Sequence, residues 1–387
     1  MIYLDNAASA APDPEALAAM AEAAAGLFAN PSSAHGLGAA AARALEGARA
    51  EVARLVGGAP AEIVFTSGGT EANALGVLGA AAAARGRHIV VGALEHPAVI
   101  RQVALLGTRD FTVTTVAATP AGVVTPAAVL AALRPDTALV ALMLVNNELG
   151  TLQPVAELAR ALRAAGCRAP LHCDAVQAAG LVPVEVATLG ADTVALSAHK
   201  LQGPKGAGAL WVRRGARLQA LWDGGRQEQG LRSGTENLPA LVGFGRAASL
   251  ARSARAAAEV AALRDDFEAL VRTAVPEARP TVAAGTARAP HIASLTLPDL
   301  PAEPLLHALE ARGVYASAGS ACASRQKAQS HVLAAIGVPE SAAVLRFSFS
   351  RLTPAEAPRA AAAALRAAID EVAPFTRAAR KSAARAR

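Results

Sequence analysis

The 387 residues carry 37 basic and 31 acidic side chains, a formal net charge of +6, and a hydrophobic fraction of 53%. Arg377, Arg380, Lys381, Arg385 and Arg387 crowd +5 into the tail with no acidic residue among them, so the body is almost neutral and a nucleic-acid partner is not expected. The longest uncharged stretch, residues 111–133, is broken by Pro120, Gly122 and Pro126, and Cys167, Cys173 and Cys322 lack disulfide or metal spacing, so a soluble, cytoplasmic protein without membrane segment or metal is expected.

Short apolar or β-branched runs alternate with long Ala/Leu/Arg helical patterns. Strands are expected at Ile63–Thr66, His88–Val91, Phe111–Val116, Leu139–Val145, Leu171–Cys173, Thr193–Ser197 and Ala209–Val212. The helices expected between them are Thr70–Ala84, Ala98–Leu106, Pro126–Leu133 and Pro154–Ala165. This alternation implies βαβ units and a largely parallel sheet. Several strands are apolar throughout, as a sheet covered on both faces requires. One long helical pattern then runs from Leu238 to about Val275, suited to carry the chain between domains. Beyond it come strands at Ile292–Leu297 and Val344–Phe349, with helices at Ala302–Arg312 and Pro354–Val372. The fold class is therefore α/β. A large domain over 16–250 has a mostly parallel sheet flanked by helices, and a smaller α+β domain takes 251–374 with 1–15. The basic tail, 375–387, reads as a solvated, frayed terminus.

Only four of the 37 basic residues are lysine: Lys200, Lys205, Lys327 and Lys381. A guanidinium stays protonated, so chemistry that needs a primary amine has only these candidates. Asp174 closes one expected strand, with Gln177 three positions on, and ligands collect beyond the carboxyl ends of parallel strands. An isolated Asp in such a place is more commonly a helix cap. The next strand ends in Ser197-Ala198-His199-Lys200, where a lone lysine would read as a surface charge. A strand-end lysine beside a strand-end aspartate suits pyridoxal phosphate, which needs an amine to hold it and a carboxylate to keep its pyridine nitrogen protonated.

That cofactor also brings a phosphate. Gly68-Gly69-Thr70 follows a strand and opens a helix, where free N–H groups can take a dianion, though most Gly-Gly turns only change direction. Ser197 and His199 add donors, and Ser233-Gly234-Thr235 makes a second hydroxyl-rich turn. His96 can stack on a planar ring or move protons, and Asn146-Asn147-Glu148 puts amides at the same edge. Five strands thus end in polar residues on one side of the sheet. That is a site.

Cys322 lies in a run of Gly, Ala and Ser, with Arg325 and Lys327 close behind. Nearby cations favour the thiolate over a free thiol of pKa about 8.5, although a free cysteine is usually a small core filler. Cys167 and Cys173 lack such neighbours and read as structural. Arg346, on a strand, can grip a substrate carboxylate with its fork, or be held in a salt bridge.

Together these residues resemble the pyridoxal-phosphate-dependent cysteine desulfurases of the NifS/IscS-like group, in the aminotransferase class V superfamily. The landmarks run in order: Tyr3-Leu4-Asp5-Asn6-Ala7-Ala8, Asn30-Pro31-Ser32-Ser33-Ala34-His35, Thr66–Asn73, Glu95-His96-Pro97, Asn146-Asn147-Glu148, His172–Gln177, Ser197–Lys200, Gly203-Pro204-Lys205-Gly206, Arg232–Asn237, Gly319–Cys322 and Arg346-Phe347-Ser348. The resemblance implies a fold-type I transferase, with Lys200 holding the cofactor and moving protons. It implies that Asp174 pairs with the pyridine nitrogen, that His96 stacks on the ring, and that Gln177 and Asn147 reach its phenolic oxygen. Gly69, Thr70, Ser197 and His199 would bind phosphate, with Thr235 coming from the second subunit of a homodimer. Arg346 would bind the carboxylate of L-cysteine, and Cys322 would take the sulfur as a persulfide, leaving L-alanine. The persulfide would pass to a sulfur-acceptor protein, either an iron–sulfur scaffold or a tRNA-thiolation protein. Ser9, Ala198, Ser350, Arg226 and Gln329 depart from the family pattern, and none of them removes a catalytic group. Other readings are a selenocysteine lyase, another class V aminotransferase-like enzyme, or a cofactor-binding scaffold.

Overall fold

Apolar β-branched runs and alanine-rich periodic segments settle into twelve strands and their connecting helices in the computed structural model, which describes residues 1–252, 254–319 and 329–385. In chain order the strands are β1 (Ile2–Tyr3), β2 (Ile63–Thr66), β3 (His88–Gly92), β4 (Thr112–Val116), β5 (Thr137–Ala141), β6 (Leu171–Asp174), β7 (Thr193–Ser197), β8 (Gly208–Val212), β9 (Arg279–Pro280), β10 (Ile292–Leu297), β11 (Val314–Tyr315) and β12 (Ala343–Ser348). The largest sheet has the order β2-β8-β7-β6-β5-β3-β4. Only β8 is reversed, being antiparallel to both β7 and β2 while the other pairings are parallel. Six carboxyl ends therefore share one edge. β2, β3, β6 and β7 are buried along their whole length, as expected for a sheet covered on both faces.

The fifth strand is shorter than its apolar run suggested, ending at Ala141 rather than Val145. Backbone N–H groups of Leu142 and Leu144 still reach the carbonyls of His172 and Asp174, at 3.0 and 2.9 Å. The Met143 N–H, however, donates to Glu95 Oε1 at 2.7 Å, so a side chain replaces strand pairing on the β3 side. The helical pattern from Leu238 likewise divides in two, Leu238–Ala251 and Ala254–Ala274. The last helix spans Ala357–Arg385 and passes through Pro374, so the stretch expected to fray is helical. A proline removes one backbone hydrogen bond, which its alanine-rich flanks can offset by propensity.

Two early helices, Pro14–Gly26 and Gly36–Leu55, went unrecognised in the sequence, although Asp13 caps the first and Pro14 opens it. They pack on Leu238–Ala251. Gly245 allows the close approach, since a Cβ there would lie 2.7 Å from Ala48 Cα. A second sheet, β12-β10-β9, is antiparallel, and its core holds Phe267 against Phe347 and Phe349 at centroid distances of 4.7 and 5.6 Å. The chain start joins this region through parallel pairing of β1 with β11.

One buried ion pair ties three segments together. Arg49 meets Glu228 through a two-pronged contact, at 2.6 and 2.8 Å, and also donates to the Ile63 carbonyl at 3.0 Å. Glu228 in turn accepts the Phe65 N–H at 2.7 Å. Removing Glu228 leaves the buried Arg49 guanidinium with only the solvent-exposed Glu46 as ionic partner among the described residues, at 3.0 Å, and breaking a buried pair costs roughly 3–5 kcal/mol. Glu228→Ala is expected to lower unfolding free energy by about that amount in urea titrations. A loss below about 1 kcal/mol, the range of an exposed pair, would contradict the pair's structural role.

Candidate active site

At the shared carboxyl edge lies a cavity of about 230 Å³. Its walls bring together Gly69, Thr70, His96, Asn147, Asp174, Gln177, Ser197, His199 and Lys200. Asn73 and Ala8 also line it, the latter from the start of the chain. Thr235 and Arg346 are not part of this wall. Cys322 lies outside the described residues.

Asp174 ends β6 and is almost wholly buried. Its Oδ1 accepts the Val176 N–H at 2.9 Å and its Oδ2 accepts the Asn73 amide at 2.8 Å. Burial pushes the carboxyl above its ordinary range, while His96, the Val176 N–H, Asn73 and Lys200 pull it back. The capping contact to Val176 and the place in the cavity wall coexist, because one oxygen serves the turn.

Lys200 follows β7 through a short 3-10 turn, Ala198–Lys200. Its Nζ donates to the carbonyls of Ala7 and Ala8, the latter at 2.8 Å, and Lys200 and Ala8 both line the cavity. His96 caps the helix Pro97–Gly107, its Nδ1 accepting the Ala98 N–H at 3.0 Å. Burial holds this imidazole below its ordinary pKa, with Lys200 and His331 adding to the effect and Asp174 opposing it. The ring is thus fixed and neutral at physiological pH, with a flat face to offer.

The opposite end of the cavity suits an anion. The helix that begins at Gly69 continues through a π turn, Leu75–Gly79, to Ala83, and its first-turn N–H groups have no intrahelical acceptor. A side chain at Gly69 would put a Cβ 2.8 Å from Val176 Cγ2, so any larger residue here would have to displace Val176 from the cavity wall. Ser197 Oγ is buried and has no hydrogen-bond partner among the described residues. Such a donor calls for a ligand. His199 stands beside it with Nδ1 3.2 Å from Ser9 Oγ, its pKa pushed down to about 4 by burial, Lys200 and Lys205. An amine, a buried carboxylate and an anion cradle meet the needs of pyridoxal phosphate. The residues fit that group.

Other expected residues have partners within the chain. Gln177 donates to the Ala7 carbonyl at 2.7 Å, and its Oε1 lies 3.2 Å from His291 Nε2. Arg346 on β12 is buried, with Nη2 on Asp5 at 2.7 Å and Nη1 donating to the Asn147 carbonyl at 2.8 Å. Its Nε has no partner among the described residues. Thr235 is exposed, three residues beyond Arg232, whose Nε donates to Glu71 at 2.9 Å next to the anion cradle.

Sequence reasoning gave no role to several neighbours. Asn73 touches Asp174 directly and His172 stands behind it, yet both read as filler inside longer motifs. Glu95, next to His96 in the chain, is fully buried, and Glu148, next to Asn147, is buried. Acidic residues inside apolar surroundings were the available signal for these two. His331 Nε2 also reaches the Glu95 carbonyl at 3.0 Å, bringing the chain after the undescribed 320–328 stretch to this edge.

The aminotransferase class-V family profile matches residues 2–357. A curated relative named cysteine desulfurase, from Cereibacter sphaeroides, is 42% identical over 359 residues and covers 92% of either chain. Another, named cysteine desulfurase IscS, from Methanosarcina thermophila, is 38% identical over 362 residues, 92% of this chain and 88% of that one. A solved structure described as a NifS-like protein superposes with a TM-score of 0.89 at 31% identity, over 96% of this chain and 100% of that one.

Glu95 carries a pH signature. Burial raises its pKa from 4.5 to about 8, against the Met143 N–H, which favours the ionised form. The folded chain keeps this proton where the unfolded chain releases it. The stability contributed is therefore full below about pH 4.5 and falls as pH rises to about 8. Glu95→Gln keeps an acceptor for Met143 and cannot ionise, so it is expected to flatten that fall. Melting temperatures compared at about pH 5 and about pH 8 check this. Equal losses in both proteins would refute it.

Proposed function

The chain belongs to the aminotransferase class-V family, and we propose that it is a pyridoxal-phosphate-dependent cysteine desulfurase, which removes sulfur from L-cysteine and leaves L-alanine. The observation that carries this reading is the meeting of the Lys200 amine, the Asp174 carboxylate, the His96 ring and the Ser197 hydroxyl, partnerless among the described residues, on one cavity.

When bound, the cofactor supplies an electron-withdrawing ring that weakens bonds at the substrate Cα. Lys200 holds that group and then carries protons to and from the substrate Cα. Asp174 keeps the pyridine nitrogen protonated, and His96 presents its face to the ring. Gly69, Thr70, Ser197 and His199 take the phosphate, joined by Thr235 from the second copy in a homodimer. Asn147 and Gln177 serve the phenolic oxygen. Arg346 receives the substrate carboxylate beside Asp5. The thiolate of Cys322 attacks the substrate sulfur, the carbon–sulfur bond breaks, and the electron pair left on carbon takes a proton. L-alanine departs and Cys322 keeps the sulfur as a persulfide, with no external oxidant or reductant required.

The persulfide passes to an acceptor protein in the cytoplasm, an iron–sulfur scaffold or a tRNA-thiolation protein. Residues 16–250 form the cofactor domain, and 251–374 with 1–15 form the small domain. The pairing of β1 with β11 and the separate core around Phe267 support that division.

Sulfur-labelled cysteine should place label on Cys322 while alanine appears in equal amount. Lys200→Arg is expected to lower alanine production by roughly 10² or more. Cys322→Ala should retain the cofactor's visible absorbance and accumulate no protein-bound sulfur. Full activity in Lys200→Arg would sink the reading.

A further inference from the structure

We propose that Asn73 and His172 are positioning residues for this reaction, holding the Asp174 carboxylate as an oriented acceptor for the cofactor's ring nitrogen. The proposal rests on the functional reading above and adds two residues to it.

Four buried side chains form a line. Thr193 Oγ1 lies 2.8 Å from His172 Nδ1, His172 Nε2 lies 2.9 Å from Asn73 Oδ1, and Asn73 Nδ2 donates to Asp174 Oδ2 at 2.8 Å. Relative exposures are 2% for Thr193, 0% for His172, 1% for Asn73 and 4% for Asp174, so water does not compete for these bonds. Chemistry fixes their direction. A carboxylate only accepts, so Asn73 must turn its amide nitrogen toward Asp174 and its oxygen toward His172. That oxygen needs a proton, which places hydrogen on His172 Nε2. Nδ1 is then a lone pair and accepts from the Thr193 hydroxyl. Burial, which pushes the His172 pKa down to about 3, keeps the ring in this neutral form.

The backbone explains why these residues meet. Alternation along β6 puts His172 and Asp174 on one face of the sheet, against the helix that carries Asn73. Gly76, three residues after Asn73, leaves room for the imidazole, since a Cβ there would lie 2.4 Å from its Nδ1 and Cε1. The helix backbone thus clamps the ring.

A neutral donor has a consequence that a cation would not. Lysine or arginine at position 73 would neutralise Asp174 and compete with the ring nitrogen for it. Asn73 supplies a hydrogen bond to the ionised form and leaves its charge for the ligand. The remaining charged and titratable groups that act on Asp174 or are acted on by it are His96, Lys200, Glu95 and Cys173.

The test uses purified protein bearing Asn73→Leu, His172→Leu or His172→Gln. Two quantities are read: the dissociation constant for pyridoxal phosphate, and the pH midpoint of the bound cofactor's visible absorbance. Asn73→Leu and His172→Leu are expected to weaken cofactor binding about tenfold or more, as for a lost buried hydrogen bond. Both should also move the midpoint upward, because a ring nitrogen that has lost its charge no longer opposes protonation elsewhere on the cofactor. His172→Gln can still donate to Asn73 Oδ1 and should stay near wild type in both. Should Asn73→Leu fail to fold, the His172 pair decides alone. Unmoved midpoints, or equal shifts for Gln and Leu at position 172, would overturn the proposal. Wild-type protein without a cofactor band would overturn the functional reading first and the proposal with it.

Discussion

Taking a carboxylate out of water costs several kcal/mol unless other polar groups replace the lost hydration. Asp174 faces this requirement at the end of a central strand. One oxygen is served by the Val176 N–H and the other by Asn73, with His96 and Lys200 as the nearby positive or protonatable groups. Each compensating group comes from a different element, so the carboxylate acts as a constraint on how helix, strand and turn can be placed. Glu95, buried nearby, is resolved differently. Its environment favours the protonated form, so two carboxyl groups close together need not both carry charge.

Sheet topology makes such convergence possible. With only β8 reversed, the turns after β2, β6 and β7 open on the same edge, and β3 leads into the Glu95-His96 turn there as well. The anion cradle after β2 is then braced from behind. Glu71 binds the Ser67 N–H at 2.8 Å and Arg232 at 2.9 Å, while Glu228 secures Phe65 on β2. The 224–237 segment therefore supports the strand and the turn at the proposed phosphate end. Rigid support of this kind lets an open, ligand-sized cavity persist without collapsing onto its polar walls.

Much of the edge was legible in the sequence because strand ends are punctuated. Asp174, Ser197, His199 and Lys200 follow apolar runs directly, and the scarcity of lysine narrowed the amine to a few positions. The line from Thr193 to Asp174 was not legible, because it depends on which face of β6 meets which helix turn. Asn73 and His172 are 99 residues apart, and nothing local announces their contact. Arg346 shows the same limit. Its sequence context suggested a carboxylate partner, but not that Asp5, 341 residues away, would be one. The shortening of β5 was hidden too, since an apolar run does not reveal that Glu95 will take the Met143 N–H. The long pattern from Leu238 concealed its division for a simpler reason: alanine-rich periodicity reads alike on both sides of a break.

The segment Asp5–Ser9 joins these parts in a way that neither sheet alone provides. Asp5 pairs with Arg346, the Ala7 and Ala8 carbonyls hold the Lys200 amine, Ala7 also receives Gln177, and Ser9 stands by His199. Its own course is pinned by Asn6 donating to the Ser348 carbonyl at 2.8 Å and by Tyr3 donating to Ser9 O at 2.7 Å. Five consecutive residues thus orient both cations that the proposed chemistry needs. For Lys200 the hydrogen-bond acceptors at Ala7 and Ala8 are backbone carbonyls, which position the amine without a covalent or bidentate hold. Arg346 is held by a full charge and gives up less readily. The contrast matches the proposed roles, since Lys200 must change partners during turnover and Arg346 need only add one.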